Sequence, residues 1–542
     1  MEHGIHRTFE ISGEVQYIDG KPIDPPGQGP RFGRIFPHTL TTPPFTPDDS
    51  RLEALGQAMT EEFESGDSVI TAGYTYFGQF IDHDITRDDT ALLTPVERQT
   101  FEPELVKQLR SPSLDLDSLY GKQGDEQKFI GADGFSMRTG NTTAIEDAGD
   151  FTAARVFAGH DIPRDKNGAG DIGDDRNDEN LFVQQTHTLF LRFHNKVAAA
   201  IRAADASLAP AGVYSKARDL VTRHYQWLVL NDFVRRFSDP VIFSAILGTQ
   251  NLSLVDAIEP NPLVFKITAA QTPPMPLEFS VAAYRMGHSM VRESYIWNRI
   301  FNSPALGDFR FFFRFTHLKG NIGRDGGTST FPSNWVADWR RVYPMEDVKQ
   351  FSDIDRATTP LNRTRKLDTH LAPVLGRIPS PGSDETINLA ASNLRRGSQM
   401  KLQCGQDIAD AIIAAGDNET AKLTPSQLMT GLTETMRKVI ADNDFHIKTP
   451  LWFYILKEAE LSGGSQLGRV GSRIVIETFL ALIRCSRTTI FSASITQPGK
   501  LDVFSPAADS PLRTVDAEPL TSMAHLIAFV GDVNPLGDTP GV

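Results

Sequence analysis

The sequence predicts a mainly α protein, a single large helical domain with little β structure. Three observations carry that prediction. Several long stretches place apolar residues three and four apart, the period of a helix with one buried face. Strand-like alternation is brief wherever it occurs. No internal repeat or low-complexity tract divides the chain. At 542 residues and 40% hydrophobic content there is material for a sizeable core. The expected organisation is an extended N-terminal arm over 1–50, a body over 51–490 and a wrapping C-terminal tail over 491–542.

The elements follow in order. The arm is rich in Pro and Gly (KPIDPPGQGPRFGRIFPHTLTTPPFTPDD), which reads as extended chain on the body. A helix is expected over Arg51 to Thr60, then GYTYFGQFIDHDITRDD over 73–89, then a helix over Thr94 to Arg110. SPSLDLDSLYG (111–121) alternates oxygen-bearing residues with leucine and ends in a turn. Residues 122–178 read as loop. From Glu179 a long helix is expected, with Leu181, Leu189, Val197, Ile201 and three phenylalanines on a broad apolar face. A second helix follows (VYSKARDLVTRHYQWLVLNDFVRRF). Val281 to Ile296 is helical in pattern. Phe309 to Lys319 is a strand or a buried turn. Ser333 to Val342 is a short helix with Ser333 placed to cap it. Later helices are expected over Asp407–Ala415, Pro425–Ile440, Trp452–Glu460 and Arg469–Arg484.

Composition excludes several function classes. The net charge of −14 argues against a nucleic-acid or anionic-membrane surface. Two cysteines, Cys404 and Cys485, rule out a disulfide framework and read as buried thiols. The start, MEHGIHRTFEISGE, shows no secretory signal. No apolar run approaches about 20 residues, so no membrane span is expected.

Four segments pair a polar anchor with a second functional group three or four residues on. Gln79, Asp82 and His83 share one face of a helix, with Asp84 turned about 100° away. Arg176 and Glu179 open the long helix in GDDRNDEN. Arg285 and His288 lie in AAYRMGHSM, and Asn393 and Arg396 in AASNLRRG. Each alone has a plain reading: a core histidine, a surface ion pair, a helix cap. Together they are the parts of a redox metal site with an acid–base group on one side and an axial ligand on the other. His187 and His194, seven apart on the long helix, have no carboxylate or cysteine in spacing and read as packing; His160 and His224 show no partner.

The four segments, in this order, resemble the motifs of the animal-type haem peroxidases of the peroxidase–cyclooxygenase superfamily, and of their bacterial members most. The resemblance runs from about Gly73 to about Arg484. It implies a haem b held between core helices, with His288 on the iron and Asn393 accepting from its Nδ1–H. It makes His83 the distal acid–base, Arg176 the cation that stabilises the breaking O–O bond, and Gln79 the residue that places a distal water or halide. Asp82 and Glu179 are the positions of ester bonds to the haem, and Arg285 and Arg396 those of propionate partners. Asn180 stands where myeloperoxidase has a methionine, so that third link is expected to be absent and chloride oxidation is in doubt. The resemblance also implies a calcium ion, Ca²⁺, held by Asp84, Ser111, Ser113, Asp115 and Asp117, hard oxygen donors of the right kind.

The activity so implied is reduction of hydrogen peroxide and oxidation of small organic donors, halides or thiocyanate through a ferryl porphyrin-radical intermediate. Localisation is open, extracellular by the resemblance and cytoplasmic by the missing signal. Two rivals stand beside it. A fatty-acid dioxygenase of the cyclooxygenase branch needs a tyrosine three residues before the proximal histidine; Arg285 is there and Tyr284 is one residue further. A non-catalytic adhesive protein would be marked by loss of His83, Arg176 or His288, and all three are present.

Overall fold

The computed structural model describes residues 30–122, 124–144, 156–249, 257–267, 272–324, 327–379 and 386–538. Residues 1–29 of the expected arm and the last four of the tail lie outside them. The described protein is mainly helical, and its strands are short, gathered into sheets of two or three.

The helices that build the site's surroundings are α1 (Asp49–Met59), α2 (Gly73–Ile85), α3 (Leu181–Ala204), α4 (Pro210–Trp227), α5 (Leu389–Gln399), α6 (Leu451–Leu461), α7 (Arg469–Arg484) and α8 (Met523–Val530). α3 starts where Asn180 Oδ1 accepts from Val183 N–H at 3.0 Å. It packs against α2, α4 and α8. α2 is buried along nearly its whole length, which is why its polar residues need partners from within the protein. α1 lies so close to α5 that a Cβ on Gly56 would sit 2.4 Å from the Ala391 nitrogen. Beyond α4 the chain continues as a π-helix, Leu228–Val234.

Several sequence expectations are corrected here. Val281 to Ile296 is not a helix: a 3₁₀ segment, Ala283–His288, is followed by irregular chain. Tertiary partners claim its backbone instead. Asn362 bonds both the Ile296 N–H (2.9 Å) and its carbonyl (2.8 Å), and the Tyr295 N–H donates to the Gly307 carbonyl at 2.9 Å. Thr94–Arg110 is helical only over Pro95–Thr100, closed by a Thr94–Glu97 capping box, and a separate 3₁₀ turn follows at Pro103–Leu105. Ser333 is not at the N-cap position, which Pro332 occupies; the stretch forms two 3₁₀ turns, Ser333–Trp335 and Trp339–Arg341, the second capped by Asp338. Pro425–Ile440 is split into Pro425–Leu428 and Glu434–Asp442, with Gly431 at φ 70° between them. Phe309–Phe313 is a 3₁₀ turn.

The first and last described segments are bonded into the body. Phe32–Gly33 pairs in parallel with Met275–Pro276, and Glu278 accepts from the Ile35 and Phe36 N–H groups at 3.0 and 3.1 Å. In the tail, Phe491–Ala493 and Leu501–Val503 form a sheet with Ala257–Ile258. α8 is tied down by Asp232, which accepts from Met523 N–H and from the Tyr74 hydroxyl, both at 2.8 Å. One hydrophobic cluster runs from Phe32 to Leu536. Among the described residues no helix is long and apolar enough to cross a membrane.

Candidate active site

A cavity of about 550 Å³ opens between α2 on one side and the Ala283–His288 turn with α5 on the other. Gln79, Asp82, His83, Arg176, Glu179, Arg285, His288, Asn393 and Arg396 all line it. Nine residues from four distant segments thus meet in one space, although the segments share no local structure.

On the α2 wall, His83 Nδ1 lies 2.8 Å from Asn177 Oδ1, and its Nε2 is 3.9 Å from Glu179 Oε1. Burial, then the Arg176 charge, lowers its pKa to about 3, so the ring is neutral at ordinary pH. Gln79 donates to Glu179 through Nε2 and accepts from Asn180 Nδ2 at 2.9 Å. Asp82 Oδ1 accepts from the Thr86 hydroxyl at 2.8 Å. Burial raises the pKa of Asp82 and of Glu179. Arg176 is held on several sides. Its Nε donates to Asp174 Oδ1 (2.9 Å), and its Nη2 to Asp174 Oδ2 (2.9 Å) and to the carbonyls of His83 (3.0 Å) and Thr86 (2.7 Å). Burial works to raise the Asp174 carboxyl, yet the bonds and charge of Arg176 keep it well below the usual carboxylate range.

On the opposite wall, Asn393 Nδ2 sits 2.6 Å from His288 Nδ1, and Arg285 Nη1 donates to Asn393 Oδ1 at 2.6 Å. This reverses the sense expected from the sequence. A guanidinium can only donate, so it claims the amide oxygen and turns the NH₂ to the imidazole. His288 Nε2 is the ring nitrogen left for the cavity. Burial, with Arg285 beside it, takes the His288 pKa down to about 3. Arg396 forms an ion pair with Asp88. Burial and the Arg396 charge bring Arg285 down to about 10. Both guanidiniums line the cavity, a setting that suits an anionic ligand.

The expected calcium loop is differently arranged. Asp84 is fully buried and accepts from the Ser118 N–H (2.9 Å), the Leu116 N–H (3.2 Å) and the Tyr225 hydroxyl (3.3 Å). Asp115 accepts from the Ser113 hydroxyl (2.8 Å) and the Arg487 N–H (3.0 Å). Asp117 accepts from the Ser111 hydroxyl and from Arg487 Nη2 at 3.1 Å. The strict alternation breaks at Asp117, which begins a helical turn, Asp117–Tyr120. Among the described residues no cluster of three or more His, Cys, Asp or Glu is set to hold a metal ion.

The animal haem peroxidase family profile matches residues 99–315. That stretch of the chain is similar to the animal haem peroxidases. A stretch of 119 residues is 33% identical to thyroid peroxidase of Homo sapiens, covering 22% of this chain and 11% of that protein. A peroxidase-like protein of Margaritifera margaritifera is 24% identical over 260 residues, 40% of this chain and 31% of its length. The chain thus spans well under two thirds of these relatives. Among solved structures, peroxidase A from Dictyostelium discoideum superposes with a TM-score of 0.50 at 14% identity, over 89% of this chain and 91% of that one. A variant of the Oryza sativa fatty acid alpha-dioxygenase with palmitic acid gives 0.53 at 12% identity, over 89% and 82%. At such identities the likeness is one of fold.

The cavity and its surroundings contain residues that sequence reasoning gave no role in the site. Asp174 and Asn177 flank Arg176 but carry no spacing signal of their own. Tyr284 and Lys319 line the cavity, and Asp88 neutralises Arg396. His187, read as packing, bonds Asn177. His194, between the Tyr120 hydroxyl and the Phe135 carbonyl (both 2.9 Å), is a packed core group. His224 bonds Ser510 Oγ at 2.8 Å, and His160 lies 3.5 Å from Asp532.

Proposed function

We propose that the protein is a haem-dependent peroxidase that reduces hydrogen peroxide and oxidises small organic donors, halides or thiocyanate. The observation that carries this reading is the pair of histidines on facing walls of one cavity, one buried and one half-buried, each bonded at Nδ1 by an asparagine amide. A haem bound there would supply the redox-active iron. His288 Nε2 would hold the iron, and Arg285 and Arg396 would face the propionates, for which guanidinium geometry is suited. His83, neutral and buried, takes the proton from the peroxide and returns it to the departing oxygen. Arg176, fixed by Asp174 and two carbonyls, places positive charge where the oxygen becomes negative. Esters from Asp82 and Glu179 are a finer part of the reading, supported by both carboxyls lining the cavity.

One preparation tests this. Protein expressed with haem should show a Soret band and oxidise guaiacol or bromide only when peroxide is added. His83→Ala should keep the band and lose at least about 10²-fold of the peroxide step, the usual cost of removing a general acid–base. Undiminished turnover would sink the assignment. Complete release of haem into acidic solvent would rule out the esters. Uptake of oxygen with a fatty acid and no peroxide would favour the dioxygenase reading instead, with Tyr284, whose hydroxyl donates to the Gly78 carbonyl at 3.1 Å, as a phenol lining the cavity.

Calcium is the other finer part. The donors of loop 111–117 are oxygens, but Arg487 already faces two of its carboxylates. An ion would have to displace that side chain. A melting temperature that rises with added Ca²⁺, and no longer does so in Asp117→Ala, supports the ion; an unmoved one leaves Arg487 as the cation of the loop.

A further inference from the structure

We propose that Asn177 and His187 act together as positioning residues that fix the tautomer of His83. The inference rests on the peroxidase reading and deepens it. Asn177 lies in the 3₁₀ turn Asp175–Asp178, directly after Arg176, and is fully buried. Its Oδ1 is 2.8 Å from His83 Nδ1, and its Nδ2 is 3.0 Å from Nδ1 of His187 on α3. An amide has one accepting end and one donating end. With the oxygen on His83, that ring must carry its proton on Nδ1, which leaves Nε2 bare on the cavity side. With the NH₂ on His187, that ring must offer a lone pair at Nδ1 and keep its proton on Nε2.

His187 is well placed to enforce this sense. It is fully buried, edge-on to Phe80 with ring centroids 5.9 Å apart, and its Nε2 has no hydrogen-bond partner among the described residues. Burial lowers its pKa to about 3, so the ring stays neutral with one bare nitrogen, and the contact with the Asn177 NH₂ puts it at Nδ1. Without that acceptor the buried NH₂ of Asn177 would be unsatisfied, and turning the amide over would bring it to His83 Nδ1 instead. His83 would then present Nε2–H and could not accept a proton from peroxide. A chain of three neutral groups thus decides whether the distal imidazole is a base, much as the partner of one ring nitrogen sets the role of the other.

The test uses the haem-loaded protein and cyanide, which binds as the anion after its proton is taken up inside the site, read by the Soret shift. The peroxide step and the donor step are timed separately. Asn177→Leu is expected to weaken cyanide binding and slow the peroxide step by about 10-fold or more, within the range of general acid–base effects. It should leave the donor step and the resting Soret band alone. Asn177→Asp, whose carboxylate still accepts from Nδ1–H, should stay close to wild type. His187→Phe should lose activity in the same pattern, and His187→Gln, which restores an acceptor, should recover it. Equal losses in the Leu and Asp variants, or cyanide affinities unchanged in all four, would overturn the inference. If Asn177→Leu does not fold, the His187 pair decides: recovery in Gln supports it, and identical values overturn it. A wild-type protein without a Soret band overturns the peroxidase reading and this inference together; a wild type active with peroxide whose variants match it overturns this inference alone.

Discussion

Arg176 illustrates how a charged residue is made useful by being tied down. Its bonds to Asp174 and to the carbonyls of His83 and Thr86 use Nε and Nη2. They fix the guanidinium against α2, so on the proposed peroxidase reading the charge would need no reorganisation as an oxygen becomes negative. A lysine cannot reproduce that fork. Arg176→Lys is therefore expected to lower kcat/KM for peroxide by about 10²–10³, the range for losing a preorganised donor. Haem content should be unchanged; loss of haem instead would assign Arg176 to cofactor retention. The motif residue was legible because Arg176 and Glu179 stand three apart at a helix mouth. Asp174 and Asn177 were not, because they act across space on groups the linear pattern does not connect. His187 was set aside for lack of a carboxylate in spacing; its partner is an amide ten residues earlier, in a turn.

At the scale of elements, helices with one complete apolar face were legible, and segments whose backbone is claimed by tertiary partners were not. α7 begins and ends where the periodicity placed it, at Arg469 and Arg484. The stretch around His288 carries a similar pattern but is bonded to Asn362 and Gly307, so it never closes a helical ladder. The junction of α6 and α7 makes a measurable prediction. Glu458, on α6, is buried and accepts from the Val470 and Gly471 N–H groups at the start of α7, both available as helix-end donors. Burial nonetheless raises its pKa from 4.5 to about 7. The folded protein therefore keeps a proton that the unfolded chain releases between those values. Its contribution to stability falls as pH rises from about 4.5 to about 7 and is level above. In Glu458→Gln that part of the slope should vanish, as measured by chemical denaturation across this window; a slope equal to wild type would refute the shift.

Across the whole molecule, distant segments complete one structure. The described part of the arm places Phe32, Ile35 and Phe36 in the core, and the tail contributes Leu520, Met523, Leu526 and Ile527. A composition of Pro, Gly and Asp suggested a tail that only wraps; α8 shows that eight residues of it, MAHLIAFV, form a buried helix capped by Ser522. The cavity has the same character, since its two walls come from opposite parts of the chain and are held apart by the packing of everything between.

For a haem bound as proposed, the Arg285–Asn393–His288 chain would turn insertion into a proton-relocation problem. As arranged, the amide donates to His288 Nδ1, so the ring proton resides on Nε2, the atom that a haem iron would need on the proposed reading. Incoming propionates would draw Arg285 away and free the amide to rotate. The proton would then have to leave one ring nitrogen and return on the other before coordination. Entry of the macrocycle and capture of its metal should separate in time. Stopped-flow mixing with haem is expected to give two phases, of which only the second slows in D₂O. Protoporphyrin IX, lacking iron, should show the first phase alone. A single phase indifferent to deuterium would mean that the apoprotein already holds His288 ready to bind.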